Sequence, residues 1–219
     1  RSRLLINLMF TLEKYILRYA DVTSTISDGM MKIVQMKTGR SVVLFPNWTN
    51  TSDIFPIEDR AFVKGEFGFR VTDKIVLYSG AIGEKQGLES ILFTARLHLH
   101  NPAVKFVICG NGPYKKHLES IAHELELANV LFLPLQPPGR FNHFLNVADI
   151  HLVIQKAGAS DLVMPSKLGA ILAVGGLALI TANRGTSLYD LVHDHVVGYV
   201  IDADDQNALN DAVSKLLTD

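Results

Sequence analysis

The sequence predicts an α/β fold, a Rossmann-like parallel sheet with helices on both faces. Three observations predict it. From residue 74 onward, short and continuously apolar runs recur. Amphipathic stretches, with apolar residues three and four positions apart, separate them. Glycines cluster where several of the apolar runs end. A strand that is apolar on both sides is covered on both faces, and such strands are usually parallel and joined by crossover helices.

The strand candidates are 74–79, 104–109, 130–133, 149–154, 177–181 and 198–201, and the helical patterns are 87–99, 114–127, 139–147, 166–174, 186–194 and 204–217. Within 114–127, Leu118, Ile121, Ala122 and Leu125 share one helical face. Before this regular part, Leu5, Leu8, Leu12, Tyr15 and Tyr19 mark an amphipathic helix over 4–19. Ala20–Thr25 and Ser41–Phe45 read as short strands, and 46–70 reads as an irregular, turn-rich linker. The expected organisation is an N-terminal piece over 1–45, a linker over 46–70 and a Rossmann-like domain over 71–219. The chain opens inside an amphipathic pattern and is therefore expected to be a fragment of something longer. The apolar stripe on 4–19 is expected to dock on a neighbouring chain, giving a dimer, or to fold onto an unintended face. The alternative is an ordinary core helix packed on the domain that follows.

Composition narrows the function classes. Lysine and arginine total 21 against 22 acids, a net charge of −1, so no basic field points to nucleic acid. The lone cysteine, Cys109, lies in an apolar run, which fits a reducing compartment and excludes an internal disulfide framework. The longest apolar run, Leu168 to Ala182, is broken by Gly175 and Gly176 and falls short of the roughly 20 residues that span a bilayer. The eight histidines show no metal-ligand spacing.

Ligands of parallel sheets bind at the C-terminal ends of the strands. Five loops fall on that edge. The first, Gly80 to Gly87, joins an apolar strand to a helix through Gly80, Ala81, Gly83 and Lys85. Glycine lets backbone N–H groups approach a ligand, a helix start favours an anion, and Lys85 adds a mobile charge. A phosphate-bearing ligand is the natural reading. The second loop holds Gly110, Asn111, Gly112 and Pro113, where a tight strand-to-helix turn and a ligand role weigh equally. The third is the proline-rich Leu133, Pro134 and Leu135. The fourth runs from Gln155 to Lys167 and contains Gly158, Ser160 and Asp161. There Ser166 is expected to cap a helix, with the amides of Ser166, Lys167 and Leu168 pointing at an anion. The fifth, Asn183 to Thr186, reads as a cap of the next helix.

Phe45-Pro46-Asn47-Trp48, Tyr78-Ser79-Gly80, Gln86-Gly87-Leu88-Glu89, Gly110-Asn111-Gly112-Pro113, Ala148-Asp149 and Val163-Met164-Pro165-Ser166-Lys167-Leu168 follow one another along the chain. In that order and spacing they resemble GT-B glycosyltransferases of the retaining, metal-independent family 4. The resemblance is to the branch that builds colanic acid and other capsular or O-antigen polysaccharides. Such enzymes have two Rossmann-like domains, an N-terminal one for the acceptor and a C-terminal one for the nucleotide-sugar. The resemblance implies that 1–45 is the tail of the first domain and 71–219 nearly all of the second. It implies a nucleotide-diphosphate sugar as donor, a lipid-linked glycan as acceptor, no metal or other cofactor, and a cytoplasmic protein that associates peripherally with the membrane. Lys85, with the Gly80 and Gly83 amides and the Ser166–Leu168 helix start, would stabilise charge on the leaving diphosphate. The 109–113 and 133–135 loops would hold the base, and Gly158 to Asp161 would face the sugar. The chain departs from the family in two places. Ala81 and Gln86 stand where an arginine and a lysine are common, and Leu162 and Ala170 stand where two glutamates eight residues apart are common. These departures favour the alternative, a nucleotide- or ligand-binding Rossmann-like module without transfer activity. A nicotinamide dehydrogenase is disfavoured, because the first strand is not followed by G-x-G-x-x-G.

Overall fold

The computed structural model describes residues 3–159 and 164–218. Helix α1 (Arg3–Tyr19), strand β1 (Ser24–Thr25), helix α2 (Asp28–Thr38) and strand β2 (Val43–Leu44) form an N-terminal unit with its own two-stranded parallel sheet. Helix α3 (Arg60–Glu66) follows a connecting segment. The main domain then alternates β3 (Lys74–Ser79), α4 (Glu89–Leu97), β4 (Val104–Cys109), α5 (Lys115–Glu124), β5 (Val130–Leu133), α6 (Pro138–Asn146), β6 (Ile150–Val153), α7 (Lys167–Ala173), β7 (Ala178–Thr181), α8 (Ser187–His195), β8 (Tyr199–Ile201) and α9 (Gln206–Thr218). The strands run in parallel in the order β5-β4-β3-β6-β7-β8. The sequence-derived alternation is therefore observed, with the six strands in their expected places.

Successive side chains of a strand point to opposite faces, and β3 shows both faces filled. Val76 and Tyr78 join Ile91, Leu92, Leu118 and Val213 under α4, α5 and α9. Ile75 and Leu77 join Val63, Phe144 and Leu145 under α3 and α6. A third cluster, with Val153, Leu168, Ile180, Leu188 and Val192, packs α7 and α8 onto β6 and β7.

Two helices lie where the sequence gave no periodic signal. Helix α2 starts at Ser27, whose side chain accepts from the Met30 amide, and stops at Gly39 in the left-handed conformation. Helix α3 lies inside the stretch expected to be irregular linker. It is seven residues long, too short to persist alone. Its Asp59 cap and its tertiary contacts hold it. Lys64, 5% exposed, donates to Asp73 O (2.6 Å) and to Asp149 Oδ2 (3.0 Å). Asp149 Oδ2 also accepts the Ile75 amide (2.7 Å), and Asp149 Oδ1 accepts from Arg60 (3.3 Å). One carboxylate thus joins α3, the start of β3 and the approach to β6. Further along the connection, Asn142 accepts the Phe55 amide (3.0 Å) and Asn146 accepts the Ile57 amide (2.8 Å). Both asparagines are on α6 and buried.

Helix α1 has no buried residue, which overturns the alternative of an ordinary core helix. The physical reason is its placement. Its polar ties run to α2 and the turn beyond, through the Lys37–Glu13 pair (2.8 Å) and through Arg40, which donates to the carbonyls of Arg18 and Ala20 and so caps the helix. No helix among the described residues is long and apolar enough to cross a membrane.

Removing one partner of a buried ion pair strands the other charge, at a typical cost of about 3–5 kcal/mol. Asp149→Ala is expected to lose stability in that range by urea denaturation at pH 7. Adding Lys64→Met is expected to restore at least half of the loss; a single mutant within 1 kcal/mol of wild type would show the brace to be idle.

His151 in β6 is 2% exposed and its Nε2 has no hydrogen-bond partner. Burial lowers its pKa to about 4. The unfolded state therefore binds the proton first as pH falls below about 6.5, and stability is lost from there toward pH 4. Between pH 7 and 4.5 the wild type is expected to lose roughly 2–3 kcal/mol more than His151→Leu does, measured as the difference in urea unfolding free energies.

Candidate active site

The chain runs from β3 outward to β4 and β5, then returns to the other side of β3 for β6. The C-terminal ends of β3 and β6 therefore flank the topological switch point, where loops diverge and leave a crevice. The loops that follow β3 and β4 stay side by side beyond the sheet. Gly80 N–H donates to Cys109 O (2.9 Å), Ile82 N–H to Asn111 O (2.9 Å) and Tyr114 N–H to Ile82 O (3.3 Å). This contact demands glycine. A Cβ on Gly110 would lie 1.9 Å from Gly80 O, and one on Gly112 would lie 1.9 Å from Ile82 O. Gly110 N–H continues the ladder to Leu133 O (3.2 Å), and the Cys109 thiol donates to Pro134 O (3.2 Å). Burial pushes that thiol's pKa up, so it is a packed group and not a nucleophile.

The structure revises several expected roles. The Gly80 amide is held by Cys109 O and the Gly83 amide by Gln86 Oε1 (3.1 Å), so neither is free for a diphosphate. Gln86 thus closes its own turn. Ser166 occupies the cap position of α7 but makes no side-chain cap bond. The Leu168 amide is taken by Pro165 O (3.1 Å), and Leu168 itself is core. Of that helix start only Lys167 reaches the first loop. Its ammonium nitrogen lies 3.7 Å from the centroid of the Tyr78 ring and 2.8 Å from where a Cβ on Gly80 would sit. Tyr78 in turn donates from its hydroxyl to Ala81 O (2.7 Å). Ala81, Lys85, Asn111, Pro134, Leu135 and Gly158 are exposed along this edge. Ser160 and Asp161 lie outside the described residues.

Sequence reasoning did not single out three features of the edge. Thr181 Oγ1 accepts the Gln155 amide (2.8 Å) and donates to Gln155 O (2.9 Å), fixing the exit of β6 to the end of β7. Lys156 lies across Gly87, within 3.2 Å of where a Cβ would be. On the α7 side, a cleft of about 780 Å³ separates the N-terminal unit from the main domain, with Ser27, Lys32 and Asn47 on one wall and Ser166, Ser187 and Asp190 on the other. Gly29 N–H to Ser187 Oγ (3.0 Å) and Asn47 Nδ2 to Met164 O (3.4 Å) cross it. None of these contacts follows a sequence period, so no pattern could have announced them.

Residues 59–219 match the model of the family described as glycosyl transferases group 1. The chain belongs to that family. It is 41% identical over 179 residues to the putative colanic acid biosynthesis glycosyl transferase WcaI of Escherichia coli K12, covering 80% of this chain and 44% of the relative. The chain spans about half the length of the curated relatives it matches. Among solved structures, sucrose-phosphate synthase of Thermosynechococcus elongatus superposes with a TM-score of 0.76 at 19% identity, over 97% of this chain and 53% of that one. HepE of Anabaena, solved in complex with UDP-glucose, superposes with a TM-score of 0.77 at 15% identity, over 95% of this chain and 57% of that one. The main domain of this group 1 member therefore has the C-terminal Rossmann-like architecture of a GT-B glycosyltransferase.

The close approach at Gly110 gives a sharp prediction. Gly110→Ala is expected to destabilise the domain by roughly 3 kcal/mol, because the added carbon overlaps a backbone carbonyl that cannot turn away. Urea denaturation measures it. A loss below 1 kcal/mol would mean that the two loops separate easily.

Proposed function

We propose that the protein transfers a sugar from a nucleotide-diphosphate donor, with retention of configuration and without a metal, to a lipid-linked glycan during polysaccharide assembly. This chain supplies the donor half of the site. The observation that carries the reading is the switch-point edge, where the locked loops after β3 and β4 meet Lys167 from the start of α7 at Gly80, where Lys156 lies across Gly87, and where Lys85 stands exposed on the first loop. The diphosphate would lie across the exposed rim at Ala81 and Lys85 toward Ser166 and Lys167. The base would lie over Asn111 and the 133–135 loop. Cations placed beside a departing diphosphate stabilise the charge that builds on it, which is the main service a protein gives such a reaction. The names of the curated relatives support glycosyl transfer, and the UDP-glucose complex of HepE supports a nucleotide-sugar donor.

A second reading, a ligand-binding module without transfer, draws on Ala170. It lines a small cavity beside Lys167 in place of the family's carboxylate. Full-length protein that binds a nucleoside diphosphate but never transfers or hydrolyses the sugar would favour that reading.

Thermal unfolding of the 219-residue chain with UDP, GDP, ADP or their monophosphates tests the proposal. One nucleoside diphosphate is expected to raise Tm. At a hundredfold excess over Kd the stabilisation is about 2.7 kcal/mol, and the matching monophosphate should do less. No shift with any diphosphate at millimolar concentration would count against the reading.

A further inference from the structure

The connecting segment and the start of α6 enclose a groove of about 820 Å³ that adjoins the 133–135 loop at Gln136. A groove of that size takes a small organic ligand. Its apolar wall is formed by Ile54 and Phe55 on the segment and by Pro138 and Phe141 on α6. Phe55 is 46% exposed. Two polar groups of the groove have unused capacity. Asn142, 7% exposed, accepts the Phe55 amide at Oδ1 (3.0 Å), which fixes its carboxamide, and its Nδ2 has no hydrogen-bond partner. A buried donor left unpaired is costly, and an acceptor on a ligand removes that cost. Asp53 is the one carboxylate in the groove lining. Among the described residues it forms no ion pair, and its side chain accepts only from Asn50 Nδ2, at Oδ2 (2.7 Å). Asn50 also accepts the Ser52 amide (3.1 Å), so the carboxylate is held on a closed turn. A buried N–H donor, an exposed pair of acceptor oxygens and aromatic surface are the means by which proteins hold a nucleobase.

The position of the groove suits the base of the donor. Strands β3, β4 and β5 are neighbours, so the exits of β3 and β5 lie two strand spacings apart, about 10 Å. A nucleoside whose 5′-phosphate sits at the β3 exit spans that distance. Its base, laid over the 133–135 loop, ends at Gln136 and the groove. The bases differ in what they offer a carboxylate. Guanine sets N1–H and N2–H₂ side by side, a match for two carboxylate oxygens, and keeps O6 and N7 as acceptors. Uracil flanks its one N–H with two carbonyl oxygens, which a carboxylate repels. Adenine and cytosine each set an acceptor nitrogen beside the amino group. We propose that the base of the donor is guanine, held in this groove with Asp53 accepting from N1–H and N2–H₂ and Asn142 Nδ2 donating to O6. The inference rests on the nucleotide-diphosphate reading above and deepens it by naming the base.

Titration calorimetry on the 219-residue chain tests this. GDP is expected to bind roughly tenfold or more tightly than UDP or ADP, the discrimination of one good bidentate pair. IDP, which lacks the 2-amino group, should bind the wild type roughly tenfold more weakly than GDP. Asp53→Asn is the sharper test, because xanthine carries a carbonyl oxygen where guanine carries the 2-amino group, and a carboxamide can donate to it. This variant should lose roughly 10- to 100-fold in affinity for GDP and bind XDP more tightly than GDP, the reverse of wild type. A gain of XDP binding also shows that the variant keeps its fold. If UDP or ADP binds as tightly as GDP, or if Asp53→Asn keeps the wild-type preference, the guanine proposal falls and the donor reading stands. If guanosine binds as tightly as GDP and Asp53→Asn weakens both, the base site stands and the donor reading falls. If none of these ligands binds at millimolar concentration, both fall.

Discussion

The site depends on one close approach of backbone to backbone. Beyond the sheet, the loops after β3 and β4 run against each other so tightly that neither Gly110 nor Gly112 could carry a side chain without meeting a carbonyl oxygen. Normally parallel strands separate as they leave a sheet. Here three further hydrogen bonds extend the pairing through Tyr114. The gain is a rim whose outward atoms have fixed positions before any ligand arrives, which reduces the ordering cost of binding. The amides spent on that rigidity are unavailable for recognition. Among the side chains brought in from other elements, that of Lys167 reaches Tyr78 and Gly80 at this rim.

A different constraint fixes the underside of the sheet. Asp149 precedes β6 and accepts from Lys64, Arg60 and the Ile75 amide. Burying a lysine is costly unless its proton donors are satisfied, and Lys64 is satisfied by a carboxylate and a carbonyl. Such an arrangement adds little net stability over a well-packed apolar one, yet losing one partner leaves the other charge buried and unpaired.

The alternation of strands and helices was legible because it follows from burial on two faces, a property written locally into runs such as Lys74–Ser79 and Val104–Cys109. Helices α2 and α3 were not legible. Ser27, Gly39 and Asp59 cap them locally, but the contacts that hold them reach distant residues, Ser187 for the start of α2 and Asp149 for α3. The candidate site was half legible. Glycines at strand ends pointed to the C-terminal edge of the sheet, where the structure shows the Gly80 and Gly83 amides taken by Cys109 O and Gln86 Oε1. Gly110 and Gly112 looked equally like turn and ligand residues, and the structure shows that packing alone already requires glycine at both. Lys167 read as an ordinary lysine at a helix start, since its meeting with Tyr78 and Gly80 arises only when β3 and α7 share a sheet edge.

The two asparagines of α6 that hold Phe55 and Ile57 have a mechanical consequence. They fasten the far end of the connecting segment to the main domain, so any swing of the N-terminal unit must bend the chain upstream, near Pro46 to Asn50. The bonds from Gly29 and Asn47 that cross the gap are partly open to water and worth about 1 kcal/mol each. The piece is thus a lever with a fixed fulcrum and a weak latch. Thermal energy can release such a latch on the microsecond-to-millisecond scale of hinged motions, while the fulcrum keeps each return stroke in register.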